Sequence, residues 1–160
     1  MNDFEIFTKN LFSSEDISAF TDQIELARGL IYRASGSSFL EKVAGKISGD
    51  FEQAVSNLES QGKLPKTPKE LDKFLDSLDG FVERLPRVKI KLAFSPGREF
   101  LAKVSGWFEK ELGQKIILDL SLEPKIIGGM IIEYKGQYRD YSLSNQIENI
   151  IKKKQGNNAG

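Results

Sequence analysis

Neither cysteine nor histidine occurs anywhere in the 160-residue chain. Without cysteine there is no disulfide and no thiolate, a usage that suits a reducing compartment. Without histidine, most zinc sites, imidazole acid–base chemistry and Ser-His-Asp triads are excluded. No apolar run approaches the about 20 residues that cross a bilayer, and the first residues lack the basic-then-apolar order of a signal peptide. These absences predict a soluble, cytoplasmic chain that needs no staple, since a chain of this length buries roughly two-thirds of its unfolded surface. Neither sign of charge is in excess, with 23 Lys/Arg against 23 Asp/Glu. The balance hides a split: residues 1–86 carry 10 basic against 15 acidic side chains, and residues 87–160 carry 13 against 8. The split predicts a domain boundary near Pro86.

Residues 1–86 read as helical. Phe4, Phe7, Leu11 and Phe12 cluster in a first short segment. Ser13 or Ser14 caps a second helix to about Ala34, whose Ile17, Phe20, Ile24, Ala27 and Ile31 form a stripe at steps of three and four. Leu40, Val43, Ile47, Phe51, Ala54 and Leu58 continue that spacing to about Gln61, with a kink or short break expected near Gly49. Thr67-Pro68-Lys69-Glu70 is the best helix start, with a capping threonine, a first-turn proline and the glutamate of a capping box. Leu71, Phe74, Leu75, Leu78, Phe81, Val82 and Leu85 then make a broad apolar face that Pro86 ends.

Beyond Pro86 the period becomes two. Val88, Ile90, Leu92 and Phe94 predict a strand, and Ser95-Pro96 predicts the start of a helix carrying Phe100, Leu101, Val104, Trp107, Phe108 and Leu112, closed by Gly113. Ile116, Leu118, Leu120 and Leu122 alternate in a second strand, which should run parallel to the first. Pro124 breaks it, Met130, Ile132 and Tyr134 mark a third strand, and Gly136-Gln137 is the expected hairpin turn before a fourth. Asp140 and Ser142 then tie the turn into a last helix with Leu143, Ile147, Ile150 and Ile151 at helical spacing. The predicted class is α+β: an all-helical bundle over 1–86, a small β-α-β-β-β-α mixed-sheet domain over 87–154, and a disordered tail over 155–160.

Catalytic constellations are missing. Gly45-Lys46 has Leu40 where a phosphate loop needs its first glycine, and Ser48 stands two places after the lysine. Gly128-Gly129 lacks the third glycine of a dinucleotide fingerprint and leads into a strand; one glycine is expected at positive φ and the other where the chain passes close to a neighbour. Glu133, Asp140 and Glu148 have no spacing that separates an acid from a base. Of Trp107 and Phe108, one must point away from the centre of its helix stripe. Lys152 to Lys154 suit a helix C-terminus and carry too little basic excess for a nucleic-acid surface.

The run Glu123-Pro124-Lys125-Ile126-Ile127-Gly128-Gly129-Met130-Ile131-Ile132, then Gly136, then Asp140-Tyr141-Ser142 with Gln146-Ile147, resembles the C-terminal signature of the delta subunit of F-type ATP synthases. The mitochondrial counterpart of that family is the oligomycin-sensitivity-conferring protein. Ala93-Phe94-Ser95-Pro96 and Leu112-Gly113-Gln114-Lys115 fit in order, so the resemblance spans about residues 87–152. Two positions depart from the family pattern: Tyr141 stands where glycine is common, and Gln137 where an acid is usual. The helical part, with three strong helices and a short one, is also smaller than the family's six-helix bundle.

The resemblance implies a non-catalytic stator that links the alpha/beta catalytic head to the b subunits of the peripheral stalk of a proton-translocating, bacterial-type enzyme. It implies no cofactor, no metal, no nucleic acid, and membrane contact only through the complex. Its structural motif falls on Pro124, Gly128, Gly129, Gly136, Asp140 and Ser142. The expected partner faces are Ile17, Phe20, Ile24 and Ile31 for the head, and Phe108, Ile150 and Ile151 for the stalk. The alternatives are a helical adaptor or stalk protein of another rotary ATPase, against which Gly45, Gly49, Pro65 and Pro68 speak, and a small RNA-binding module.

Overall fold

A computed structural model describes residues 3–33, 37–142, 145, 147 and 149–153. Its elements are α1 (Glu5–Thr8), α2 (Ser14–Ile31), α3 (Phe39–Val43), α4 (Gly49–Ser60), α5 (Pro68–Glu83), β1 (Arg87–Leu92), α6 (Arg98–Leu112), β2 (Ile117–Leu122), β3 (Met130–Tyr134) and β4 (Gln137–Asp140). They fall into two compact units. One comprises Met1–Leu11 and Glu15–Leu85, the other Phe12–Ser14 and Pro86–Gly160.

Among the described residues of the first unit, the five helices include one more than the apolar periodicity suggests. The stretch from Leu40 to Gln61, where a kink or short break was expected near Gly49, is two helices, because residues 44–48 leave the helical path. The residue that turns the chain is Gly45, at φ +67°. Gly49 opens α4 instead, after Ser48, whose side chain accepts the Phe51 N–H. The reciprocal capping box also lies elsewhere than expected. Ser38 accepts from the Glu41 N–H while the Glu41 carboxylate accepts from the Ser38 N–H. At Thr67 the side chain accepts from the Glu70 N–H, but its own hydroxyl donates to the Glu70 carboxylate at 2.7 Å, so the box there is half formed.

The second unit is a four-stranded mixed sheet in the order β2-β1-β3-β4. β1 pairs parallel with β2 and antiparallel with β3, and β3 pairs antiparallel with β4. Val88, Ile90 and Leu92 of β1 join Leu118, Ile132 and Phe108 in one core, with α6 packed over that face. Each such side chain contributes roughly 1.5–3 kcal/mol when fully buried. On the other face, Lys89 stands between Asp119 and Glu133 across three strands.

Four local expectations are corrected. Phe94 lies beyond the end of β1 and is exposed, its ring edge-on to Phe100. Ser95-Pro96 precedes α6 without capping it; Gly97 is the N-cap, with no side-chain hydrogen bond, since a proline at position 96 is still two residues short of the first helical turn. The hairpin turn is Lys135-Gly136, one residue earlier than expected, because Tyr134 pairs with Gln137. Both turn residues have positive φ, +49° and +75°, as a type I′ turn requires. Along β2, burial fades from Ile117 and Leu118 to an exposed Leu122 instead of alternating. Residues 12–14 run beside the first half of the strand only, which is where Ile117 is buried. Leu143, Glu148, Lys154 and the tail 155–160, all named above, lie outside the described residues.

Candidate partner-binding faces

The glycine-rich motif builds a close backbone crossing. Pro124 sits in a turn where the Ile126 N–H donates to the Glu123 carbonyl at 3.0 Å. Gly128 and Gly129 both take positive φ, +69° and +75°. The positive φ and the close approach expected of two separate glycines coincide at Gly129, where a Cβ would collide with the Tyr141 carbonyl and the Ser142 Cα. The Tyr141 N–H donates to the Met130 carbonyl at 2.9 Å, holding that crossing closed.

From there the chain enters its last helical residues through a small knot. The Asp140 carboxylate accepts the Ser142 N–H at 2.8 Å, and the Ser142 hydroxyl accepts the Asn145 N–H at 3.3 Å. Asn145 donates from Nδ2 to the Asp140 carbonyl at 3.1 Å. Ser142 is buried and acts as an N-cap. Asn145, three residues after the capping serine, was not among the residues expected in this turn.

Asn145, Ile147 and residues 149–153 are helical. Ile150 and Ile151 lie three and four residues after Ile147, and all three are exposed, so this helix leaves its apolar face open. Phe108, expected beside Ile150 and Ile151 as a stalk contact, is 6% exposed and belongs to the core under α6. Its neighbour Trp107 is 53% exposed. One residue along a helix is a rotation of about 100°, which turns one aromatic ring inward and the next outward.

The stripe Ile17, Phe20, Ile24 and Ile31, expected to meet the head, is not exposed in this chain. All four are buried within the first unit, none more than 6% exposed. The unit's own helices cover α2: Phe20 stacks near Phe51 of α4, Thr21 reaches Asp79 of α5, and Arg28 pairs with Asp72 and Asp76. A different set is left at the surface. Phe74 and Phe81, seven residues apart on α5, place their rings 5.3 Å and 5.6 Å from that of Phe4. All three are half-buried. The signal for them was the width of the α5 apolar face: Leu71, Leu75, Leu78 and Val82 fill the core, and Phe74 and Phe81 stand on its shoulder.

Comparison with known proteins extends over both units. The family model described as ATP synthase delta (OSCP) subunit matches residues 1–153. The chain belongs to that family. The match includes the helical unit, which carried no recognisable motif. The chain is similar to ATP synthase subunit delta of Cronobacter sakazakii, 22% identical over 156 residues that cover 92% of this chain and 88% of the relative. It is 25% identical to subunit delta of Proteus mirabilis over the same shares of each chain. A stretch of 44 residues is 46% identical to subunit delta of Rickettsia typhi. Delta-family chains are non-catalytic subunits of the F-type ATP synthase, connecting its parts as a stator. Among the described residues, no helix of this delta-family chain is long and apolar enough to cross a membrane.

Proposed function

We propose that this delta-family chain links the alpha/beta catalytic head to the b subunits of the peripheral stalk, with residues 1–86 meeting the head and residues 87–154 the stalk. It would act on the cytoplasmic side, peripheral to the inner or plasma membrane, and touch the membrane only through the complex. The single observation that carries this reading is the open apolar face of Ile147, Ile150 and Ile151, on a helix whose entry is fixed by the Gly129–Ser142 crossing. A helix face of that kind suits the apolar stripe of another helix. Trp107 replaces Phe108 as the aromatic candidate for the stalk. The half-buried Phe4, Phe74 and Phe81 replace the α2 stripe as the candidate face for the head.

The test is recovery of partners from native membranes by tagged full-length chain. Wild type should recover both head and stalk subunits. Ile150→Asp combined with Ile151→Asp should lose the stalk and keep the head, and Phe81→Ser should do the reverse. Loss of both by either variant, or retention of both, would sink the two-ended assignment. The single tryptophan adds a second readout, since burial of Trp107 by a stalk fragment should shift its fluorescence to shorter wavelength.

A further inference from the structure

Residues Phe12–Ser14 lead into α2, whose first residue is Ser14, yet their contacts place them in the sheet-bearing unit. The Leu118 N–H donates to the Phe12 carbonyl at 2.7 Å, and Ser13 bridges Leu118 in parallel register. The Ser14 hydroxyl lies 3.4 Å from the Asp119 carboxylate, and Ser13 is buried. β2 ends the four-stranded order on this side, and the N–H and C=O groups of such an edge are a template for another extended segment.

The occupant is also held by its side chain. The Arg98 guanidinium carbon and the Lys115 Nζ lie 5.1 Å and 5.0 Å from the centroid of the Phe12 ring, both within cation–π range. Lys115 is itself anchored, with Nζ 2.7 Å from Glu109 Oε1. Glu109 Oε1 accepts from the Ser105 hydroxyl at 3.1 Å, and the fully buried Ser105 also reaches the Ile116 carbonyl at 3.2 Å. The turn from α6 into β2 therefore presents a cation already fixed in place.

We infer that the outer edge of β2, with Arg98 and Lys115 beside it, is a docking site for the chain's own residues 12–14, anchored by the Phe12 ring. The second unit is then incomplete as residues 86–160 alone, and the chain passes between its two units three times, after residues 11, 14 and 85. The inference concerns this chain by itself and does not rest on the partner faces assigned above.

Amide exchange on the full-length chain, followed by NMR, reads the docking directly. In wild type the Leu118 amide should be protected, and Phe12→Ala should speed its exchange about tenfold or more while Ile90 and Ile132 are unchanged. The Lys115 ε-methylene protons should be shifted upfield by the ring current in wild type and return toward ordinary values in Phe12→Leu, a variant that keeps the apolar bulk. An unprotected Leu118 amide in wild type, or unshifted Lys115 protons, would overturn the docking site. So would equal Leu118 exchange in wild type and Phe12→Ala.

Discussion

The backbone at Gly129 approaches Ser142 so closely that a Cβ at position 129 would stand 2.8 Å from the Ser142 Cα. Gly113 has a similar φ, +67°, but nothing lies within 4 Å of where its Cβ would be. The pair separates two costs. Gly113→Ala bears left-handed strain alone and should lose about 1–2 kcal/mol. Gly129→Ala adds a backbone collision worth about 1–3 kcal/mol more. Urea denaturation of both variants measures the difference, and equal losses would mean that the close approach relaxes at no expense.

Phe108 and Trp107 touch, with ring centroids 4.7 Å apart, but face different environments. Phe108→Ala should destabilise the sheet-bearing unit by about 3–5 kcal/mol. Trp107→Ala should cost about 1 kcal/mol or less in stability, through the lost ring contact. It should weaken stalk binding by about 2 kcal/mol, roughly 30-fold in Kd. Thermal melts and a titration with a stalk fragment together check this; a Trp107 variant with unaltered affinity removes the residue from the interface.

Ile24 and Phe81 make the corresponding pair in the helical unit. Ile24 is fully buried, so Ile24→Ala should cost about 2–5 kcal/mol and affect head recovery only by unfolding the unit. Phe81→Ser, on the surface shoulder, should keep a folded circular-dichroism spectrum and lose the head. If Ile24→Ala abolished head recovery while remaining fully folded at the assay temperature, the buried stripe would have to be reconsidered as a partner face.

Ser38→Ala and Thr67→Ala test the two caps. Each removes the acceptor for an orphan helix N–H and should cost about 1 kcal/mol. The second halves of the two caps differ: Glu41 accepts the Ser38 N–H, whereas Glu70 accepts only the Thr67 hydroxyl. Glu41→Ala should therefore be measurably destabilising, by about 0.5 kcal/mol, and Glu70→Ala should cost less. The reverse order in chemical denaturation would show that the geometry of one cap does not persist in solution.

Much of the α+β plan was legible because its elements carry strong periods. Val88, Ile90 and Leu92 alternate in sequence and alternate in burial; the α5 stripe reads as a helix and is one. Periodicity says which side of an element is buried, but not by what. The stripe of α2 was therefore visible in the sequence, while its closure by α4 and α5 was not. The same limit explains Phe108: both it and Trp107 satisfy the helical spacing, and the rotation of α6 on the sheet chooses between them. Turn positions slipped by one or two residues at Gly97 and Gly136, where several small or rigid residues in succession offer equivalent chemistry. The segment 12–14 left no local trace, since a three-residue pairing with β2 has no period of its own.

That pairing bears on the order in which the chain folds. Ser14 and Asp119 are separated by 105 residues. At a synthesis rate of about 5–20 residues per second, the segment waits on the order of 5–20 s on the ribosome for its strand to emerge. In that interval the helices up to Leu85 can fold, while a contact of such sequence separation is by nature late and slow to form. Closing the sheet edge would then be among the last steps of maturation, and the chain would reach its final state by returning to one of its earliest segments.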